Sequence, residues 1–407
     1  MKIRHFGWLL GTLAFSAHAQ SSVTLYGLID FGLTYVNNTQ TSRTASGLHG
    51  AHQFAVSDGS ANGVAGSRWG LRGVEDLGGG LQTVFVLESG YTLNNGALAQ
   101  GGAEFGRQAY IGLQGGFGSV TVGRQYDTYT DFVQPLTATG QWAGYMGAQP
   151  DDVDSLSNTS RINNAIKFRT PDYHGFAAAG LYSLGGIAGS TTQNQLWSLG
   201  AHYSVGSLLI AGGYLNARDP NVSLYGTTPN KGTTTANNIG SFGSPATPES
   251  YPVDAGYASA KTTQIAGAAL QYAISAVTLG FVVTNTRFEG LGSTSGPNPL
   301  GYTGTAAFTS FELSARAQVT PAWLVGSAIH YTDRNSVNGD GGAKYLQLDL
   351  GTIYNLSKRT SVYLLTVMQR ASGRDSLGQP AVASISGFSP STTNHQIGVR
   401  VALQQRF

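Results

Sequence analysis

Ser22–Tyr35 reads SVTLYGLIDFGLTY and alternates with a period of two. Val23, Leu25, Gly27, Ile29, Phe31 and Leu33 fall on one face, and Thr24, Tyr26, Leu28, Asp30, Gly32 and Thr34 on the other. This is the pattern of a strand with one apolar and one half-polar side. The end of the chain repeats it, with Ile397, Val399, Val401, Leu403 and Phe407 against Gln396, Arg400, Gln404 and Arg406. Residues 307–318 set Phe311, Leu313 and Ala315 against Ser310, Glu312, Ser314 and Arg316. Residues 196–203 set Trp197, Leu199, Ala201 and Tyr203 against Ser198, Gly200 and His202. Helical periodicity is absent throughout.

Short turns separate the alternating runs: Asp76–Gly80, Gly115–Gly118, Pro171–Gly175, Val205–Gly206, Ser275, Thr320–Pro321 and Leu356–Arg359. Glycine supplies the positive φ that tight hairpins need. Longer polar stretches lie between them, at 36–66, 90–104, 127–160, 185–194, 218–259, 289–306, 335–343 and 373–393. Short and long connections therefore alternate. The expected fold is all-β: roughly sixteen antiparallel strands of about ten residues, closed into a transmembrane barrel with short turns at one end and long loops at the other. Closure is a physical requirement, because in lipid every backbone N–H and C=O needs a partner within the protein. A soluble sandwich is the competing all-β reading, but it rarely sustains this alternation over so many hairpins in one domain.

Composition fits a barrel. Of 407 residues, 57 are Gly and only 11% are charged, with 20 Tyr, 17 Phe, 5 Trp and no Cys. Soluble domains carry about 25% charged residues. The aromatics argue against disorder. The absence of Cys excludes a disulfide scaffold, a Cys metal site and a Cys nucleophile. The formal charge of +2 gives no nucleic-acid footprint. No segment after the N-terminus approaches the 18 apolar residues of a membrane-spanning helix.

Met1–Ala19, MKIRHFGWLLGTLAFSAHA, has a basic start at Lys2 and Arg4, an apolar stretch from Phe6 to Phe15, and a small-x-small site at Ala17-His18-Ala19. These are the parts of an export signal; the competing reading is a buried N-terminal helix. Cleavage after Ala19 would remove two bases and no acid, lowering Lys+Arg from 23 to 21, equal to the 21 Asp+Glu. Residues 20–407 would then form one neutral barrel domain.

Asp30, Arg68, Arg72, Glu88, Glu312, Arg316, Asp349 and Arg400 fall opposite apolar neighbours, so on a barrel they face the lumen. A charge at the lipid midplane would cost about 2–4 kcal/mol. The stretch 127–160 carries Asp127, Asp131, Asp151, Asp152 and Asp154 and no Lys or Arg. Arg161, Lys167 and Arg169 follow it, and neighbouring strands add Arg68, Arg107 and Arg124. An acidic loop beside a basic wall would set a field across an opening and select ions. The competing reading is an ordinary solvated outer loop. Strict alternation from Ala109, Ile111 and Leu113 would turn Arg107 outward, unless a bulge or a subunit interface intervenes.

Five blocks together resemble the general porins of Gram-negative outer membranes, most closely the trimeric porins of beta-proteobacteria. They are SSVTLYGLIDFG (21–32), SRWGLRGVEDLGGGLQTVFVLE (67–88), FGRQAYIGLQGGFGSVTVGRQYD (105–127), RINNAIKFRTPDYHGF (161–176) and the closing HQIGVRVALQQRF. The resemblance implies a 16-stranded barrel in a homotrimer, one pore per subunit, embedded in outer-membrane lipid and lipopolysaccharide. It implies that 127–160 is an inward-folded third loop forming the constriction. Arg68, Arg107 and Arg161 take the family's basic positions by motif, with Arg124, Lys167 and Arg169 as additions. Asp127 and Asp131, or Asp151, Asp152 and Asp154, would supply the acids. The Pro-Glu-Phe-Gly turn common at the tip of this loop is missing; QPLTATGQWAGYMGAQPDDVDS stands there. Phe407 resembles the terminal aromatic read by the barrel-assembly machinery.

The function expected is passive diffusion of small hydrophilic solutes and ions, with a weak preference for anions and no catalysis, metal or cofactor. A substrate-specific channel of the same fold is the alternative, since Tyr126, Tyr129, Trp142 and Tyr145 could stack on solutes or anchor the loop. An enzyme would need a motif the chain lacks: there is no H-E-x-x-H and no G-x-S-x-G. The loop at 218–259, rich in Thr, Gly, Asn and Pro, also suits a receptor surface.

Overall fold

The computed structural model describes residues 21–157, 160–226, 230, 231 and 234–407. The export-signal reading of residues 1–19 lies outside them. The strands are β1 (Ser22–Thr44), β2 (Gly47–Asp58), β3 (Arg68–Gly78), β4 (Leu81–Gly90), β5 (Gln108–Gly115), β6 (Gly118–Gln125), β7 (Ile162–Arg169), β8 (Phe176–Ser183) and β9 (Leu196–Val205). They continue as β10 (Leu208–Arg218), β11 (Thr262–Ile274), β12 (Val277–Leu291), β13 (Gly304–Thr320), β14 (Trp323–Arg334), β15 (Ala343–Asn355), β16 (Thr360–Gly373) and β17 (His395–Arg406).

Every pairing is antiparallel, and the ladder runs unbroken from β3 through β17. β1 closes it, pairing with β17 from Leu28 opposite Arg406 to Val36 opposite Gly398. Its other edge takes β3 along Ser22–Leu28 and β2 along Phe31–Thr44. β2 and β3 thus occupy one barrel position, split by a helical turn at Gly59–Asn62, and the ring counts sixteen positions. Phe407 extends the closure: its N–H and C=O both bond Gly27 at 3.1 Å.

The stretch 36–66 departs from the expectation of a polar loop. Most of it is a hairpin, with β1 running to Thr44 and β2 returning from Gly47. The alternation reading missed it because residues 37–44 (NNTQTSRT) are uniformly polar. An apolar face is imposed only where a strand meets lipid.

The faces sort as alternation requires. Val23, Leu33, Leu199, Phe281, Leu313, Leu348 and Val401 are exposed outside, while Asp30, Ser198, Thr284, Glu312, Asp349 and Arg400 are buried inside. At the seam, Arg400 bonds Asp30 at 2.9 Å and reaches Thr34, Ser57 and Asn62, and Tyr363 donates to Asp30 at 2.7 Å. This network ties β1, β2, β16 and β17 together.

Asp127–Ser157 packs on the polar face of the wall, and therefore inside the ring. Asp127 caps the short helix Thr128–Val133 through Thr130, with both bonds at 2.8 Å. Glycines make the room. Gly200, Gly213 and Gly267 stand directly opposite one another across β9, β10 and β11. A Cβ at Gly200 would lie 2.4 Å from the Thr128 carbonyl, and one at Gly267 2.8 Å from the Tyr129 ring. Gly326 and Gly351 form a second facing pair on β14 and β15, where added Cβ atoms would lie 2.5 and 2.7 Å from the Trp142 indole.

Gly326→Ala should therefore lower the thermal unfolding midpoint in detergent, by an overpacking cost of about 1–3 kcal/mol. Gly212→Ala should not, because a Cβ there meets nothing nearer than a carbonyl at 3.6 Å. Equal midpoints for the two variants would contradict this packing.

Candidate functional site

The inner segment is tied to the wall along its length. Thr128 N–H donates to Ser198, Ala138 N–H to Glu312 at 2.7 Å, and Thr332 to Gln149 at 2.8 Å. Gln271 donates to the Leu136 carbonyl and Gln347 to that of Ala148. Gly144, at φ 61 and ψ −159, turns the chain in a conformation reserved for glycine, and Tyr145 N–H then bonds the Gly63 carbonyl.

A cavity of about 490 Å³ lies between this segment and the wall of β1, β3 and β4, lined by Tyr26, Arg68, Glu88, Arg107, Tyr126, Gln141 and Tyr145 among others. Arg107 Nε meets Glu88 at 2.7 Å, and Tyr26 donates to the other Glu88 oxygen at 2.9 Å. Arg107 faces inward despite its parity. It precedes the first ladder residue of β5, where alternation no longer sets direction. Burial pushes the Tyr145 hydroxyl up, but the guanidiniums of Arg107, Arg161 and Arg68 more than offset this and hold it below the ordinary tyrosine value.

Arg161 lies over the Tyr126 ring at 5.3 Å. Arg124, at a bulge where β6 shifts register against β7, donates to Asn163 and to the Gly106 carbonyl. Lys167 pairs with Asp131 at 2.7 Å and donates to the Tyr126 carbonyl. Arg169 stands apart, with its guanidinium 4.7 Å from the Phe132 ring, beside the short turns at 80 and 115–118.

The five acids separate. Asp131 is the most open, its side chain 23% exposed. Asp127 is consumed as a helix cap. Asp154 accepts from Thr284, Asp152 from the Ser157 N–H, and Asp151 from Ser384 and the Val253 N–H. Burial pushes Asp127 up to about 6 and Asp151 and Asp154 to about 7. Near neutral pH these acids thus lend less negative charge than their number implies. Arg68 forms no ion pair among the described residues, and Glu88 is matched by Arg107, so the balance at the cavity is basic. Of the aromatics, Tyr129 and Trp142 are buried against wall glycines as anchors, while Tyr126 and Tyr145 line the opening. Tyr26 and Gln141 join the lining without being pore candidates on sequence grounds. Tyr26 shares the half-polar parity of Asp30, a usable signal; Gln141 carries none.

The two ion pairs should differ in worth. Glu88→Gln strands Arg107 in a site where both partners are at most 6% exposed, and breaking such a pair costs about 3–5 kcal/mol. Asp131→Asn breaks a pair 16% and 23% exposed, worth about 0–1 kcal/mol. Denaturant unfolding in micelles should rank them in that order; the reverse order would contradict the placement of Glu88.

Comparison with known proteins agrees with this architecture. The family model for Gram-negative porins matches residues 8–374. An outer membrane porin protein of Bordetella pertussis is 43% identical over 171 residues, spanning 41% of this chain and 44% of that relative. Outer membrane porin protein 32 of Delftia acidovorans is 28% identical over 402 residues, 95% of each. Among solved structures, an anion-selective porin from Comamonas acidovorans superposes with a TM-score of 0.68 at 22% identity, covering 95% of this chain and all of that one, a likeness of fold.

Proposed function

The chain belongs to the Gram-negative porin family, and on that premise we propose that it is a general diffusion channel of the outer membrane. Small hydrophilic solutes and ions cross it passively, with 127–160 as the constriction. The observation that carries this reading is an opening shared by wall and inner segment, where Arg68 and Arg107 face Gln141 and Tyr145. Charged groups at such a narrowing select by size and sign.

The preference is weakly for anions. Glu88 and Asp131 are each offset by a cation, Arg107 and Lys167, and the guanidiniums of Arg107, Arg161 and Arg68 all act on Tyr145. The relative from Comamonas acidovorans is described as anion-selective, which agrees. Binding here is electrostatic and reversible, and no bond is made or broken. In this reading residues 1–19 direct export and are removed after Ala19, and three copies assemble with one pore each. Phe407 serves the barrel-assembly machinery, and the apolar band meets lipid and lipopolysaccharide.

Purified protein in planar bilayers should open channels that close in roughly three equal steps, as a threefold assembly requires. Under a salt gradient the zero-current potential should carry the sign of anion preference. Replacing Arg68 and Arg161 together by Ser should shift it towards cations. An unchanged potential would overturn the wall assignment, and absence of conductance would overturn the channel.

A further inference from the structure

A second cavity, of about 260 Å³, lies at the long-loop end of the barrel and shares no lining residue with the first opening. Its lining joins both signs of charge from separate elements. Arg124 is the last residue but one of β6 and Arg161 precedes β7; Asp151 and Asp152 lie near the end of the inner segment, and Asp254 comes from the loop after β10.

Asp254 is the informative member. It is 2% exposed, and its Oδ1 accepts no hydrogen bond among the described residues. A buried oxygen left without a donor is costly. Burial, and then Asp151 and Asp152 beside it, push the Asp254 carboxyl well above its ordinary value. Asp151, by contrast, is satisfied by Ser384 and Val253. The backbone marks the same place. Of eleven non-glycine residues at positive φ among the described residues, five line this cavity: Gln100, Asp151, Asp152, Ser155 and Tyr251. Conformations of this kind cluster at ligand clamps. Leu224, Ile239 and Tyr225 give the cavity an apolar side.

A bound cation with several donors would satisfy the orphaned oxygen and favour the ionised form of Asp254 in this acidic corner, and an ammonium has three. Arg124 and Arg161 line the same cavity; Arg124 already donates to the Gly106 and Arg161 carbonyls and to Asn163, but a guanidinium has five donors and can take a carboxylate as well. We propose that this cavity binds a zwitterionic α-amino acid with an apolar side chain, its ammonium at Asp254 and its carboxylate at Arg124 and Arg161. The site is a stopping point on the way to the opening. The inference rests on the channel reading, since the solute must reach the cavity through an open barrel.

Single channels exposed to L-phenylalanine on the long-loop side test it. L-Phenylalanine should interrupt the current with events at least tenfold longer than those from N-acetyl-L-phenylalanine, which lacks the cation, or L-phenylalanine amide, which lacks the anion. Asp254→Asn should shorten the phenylalanine events at least tenfold. Should that variant fail to assemble, Arg124→Gln tests the other end, shortening events from phenylalanine but not from its amide. Open channels that treat the three probes alike, or variants that keep wild-type durations, would overturn this inference alone. Absence of open channels would overturn the channel reading and this inference with it.

Discussion

Lipid offers the peptide group no hydrogen-bond partner, so a sheet placed there survives only without edges. In this chain the requirement converges on β1. Its lower half pairs with β3, its upper half with β2, and its other edge with β17 along Leu28–Val36. Both ends of the described chain meet at this seam, and the Phe407 backbone adds a last pair of bonds to Gly27. The buried pair of Asp30 and Arg400 holds it from inside, and its cost of desolvation is offset by Tyr363, Thr34, Ser57 and Asn62.

Closure turns one face of every strand inward, and what happens there follows from which side chains those faces carry. Where β9, β10 and β11 present Gly200, Gly213 and Gly267 in a row, the wall is flat enough for a helix to lie on it. Where Gly326 meets Gly351, an indole fits. The segment is therefore seated by missing side chains as much as by bonds. Held on that side, it leaves the opening against the wall that carries Arg68 and Arg107. The acids of the segment are largely turned towards the wall and outer loops, which is why an acidic loop and a basic opening coexist.

Much of this was legible in the sequence, for a physical reason. Lipid imposes a period of two, and hairpins need glycine or other turn residues, so strands and short turns announce themselves. The signal fades where lipid ends: Asn37–Thr44 is strand without alternation. It fails for Arg107, which stands just outside its ladder. It also could not distinguish Asp131, which meets Lys167, from Asp151, which is taken up by Ser384 and Val253. The partners of Asp151 lie more than a hundred residues away and follow no local pattern. The glycine rows were likewise invisible, because each residue gains meaning only from the register that sets it opposite another.

If Asp127–Ser157 lies in the conducting path and the field there is positive, a reactive group placed on it will report both. The chain contains no Cys, so a single introduced thiol reports without background. Gln141→Cys places one at the opening, and the current can be followed while charged thiol reagents react with it. An anionic methanethiosulfonate should react faster than a cationic one of similar size, and each should reduce the conductance. Faster reaction with the cationic reagent would show a negative field at Gln141, and complete labelling without loss of current would place the segment outside the conducting path.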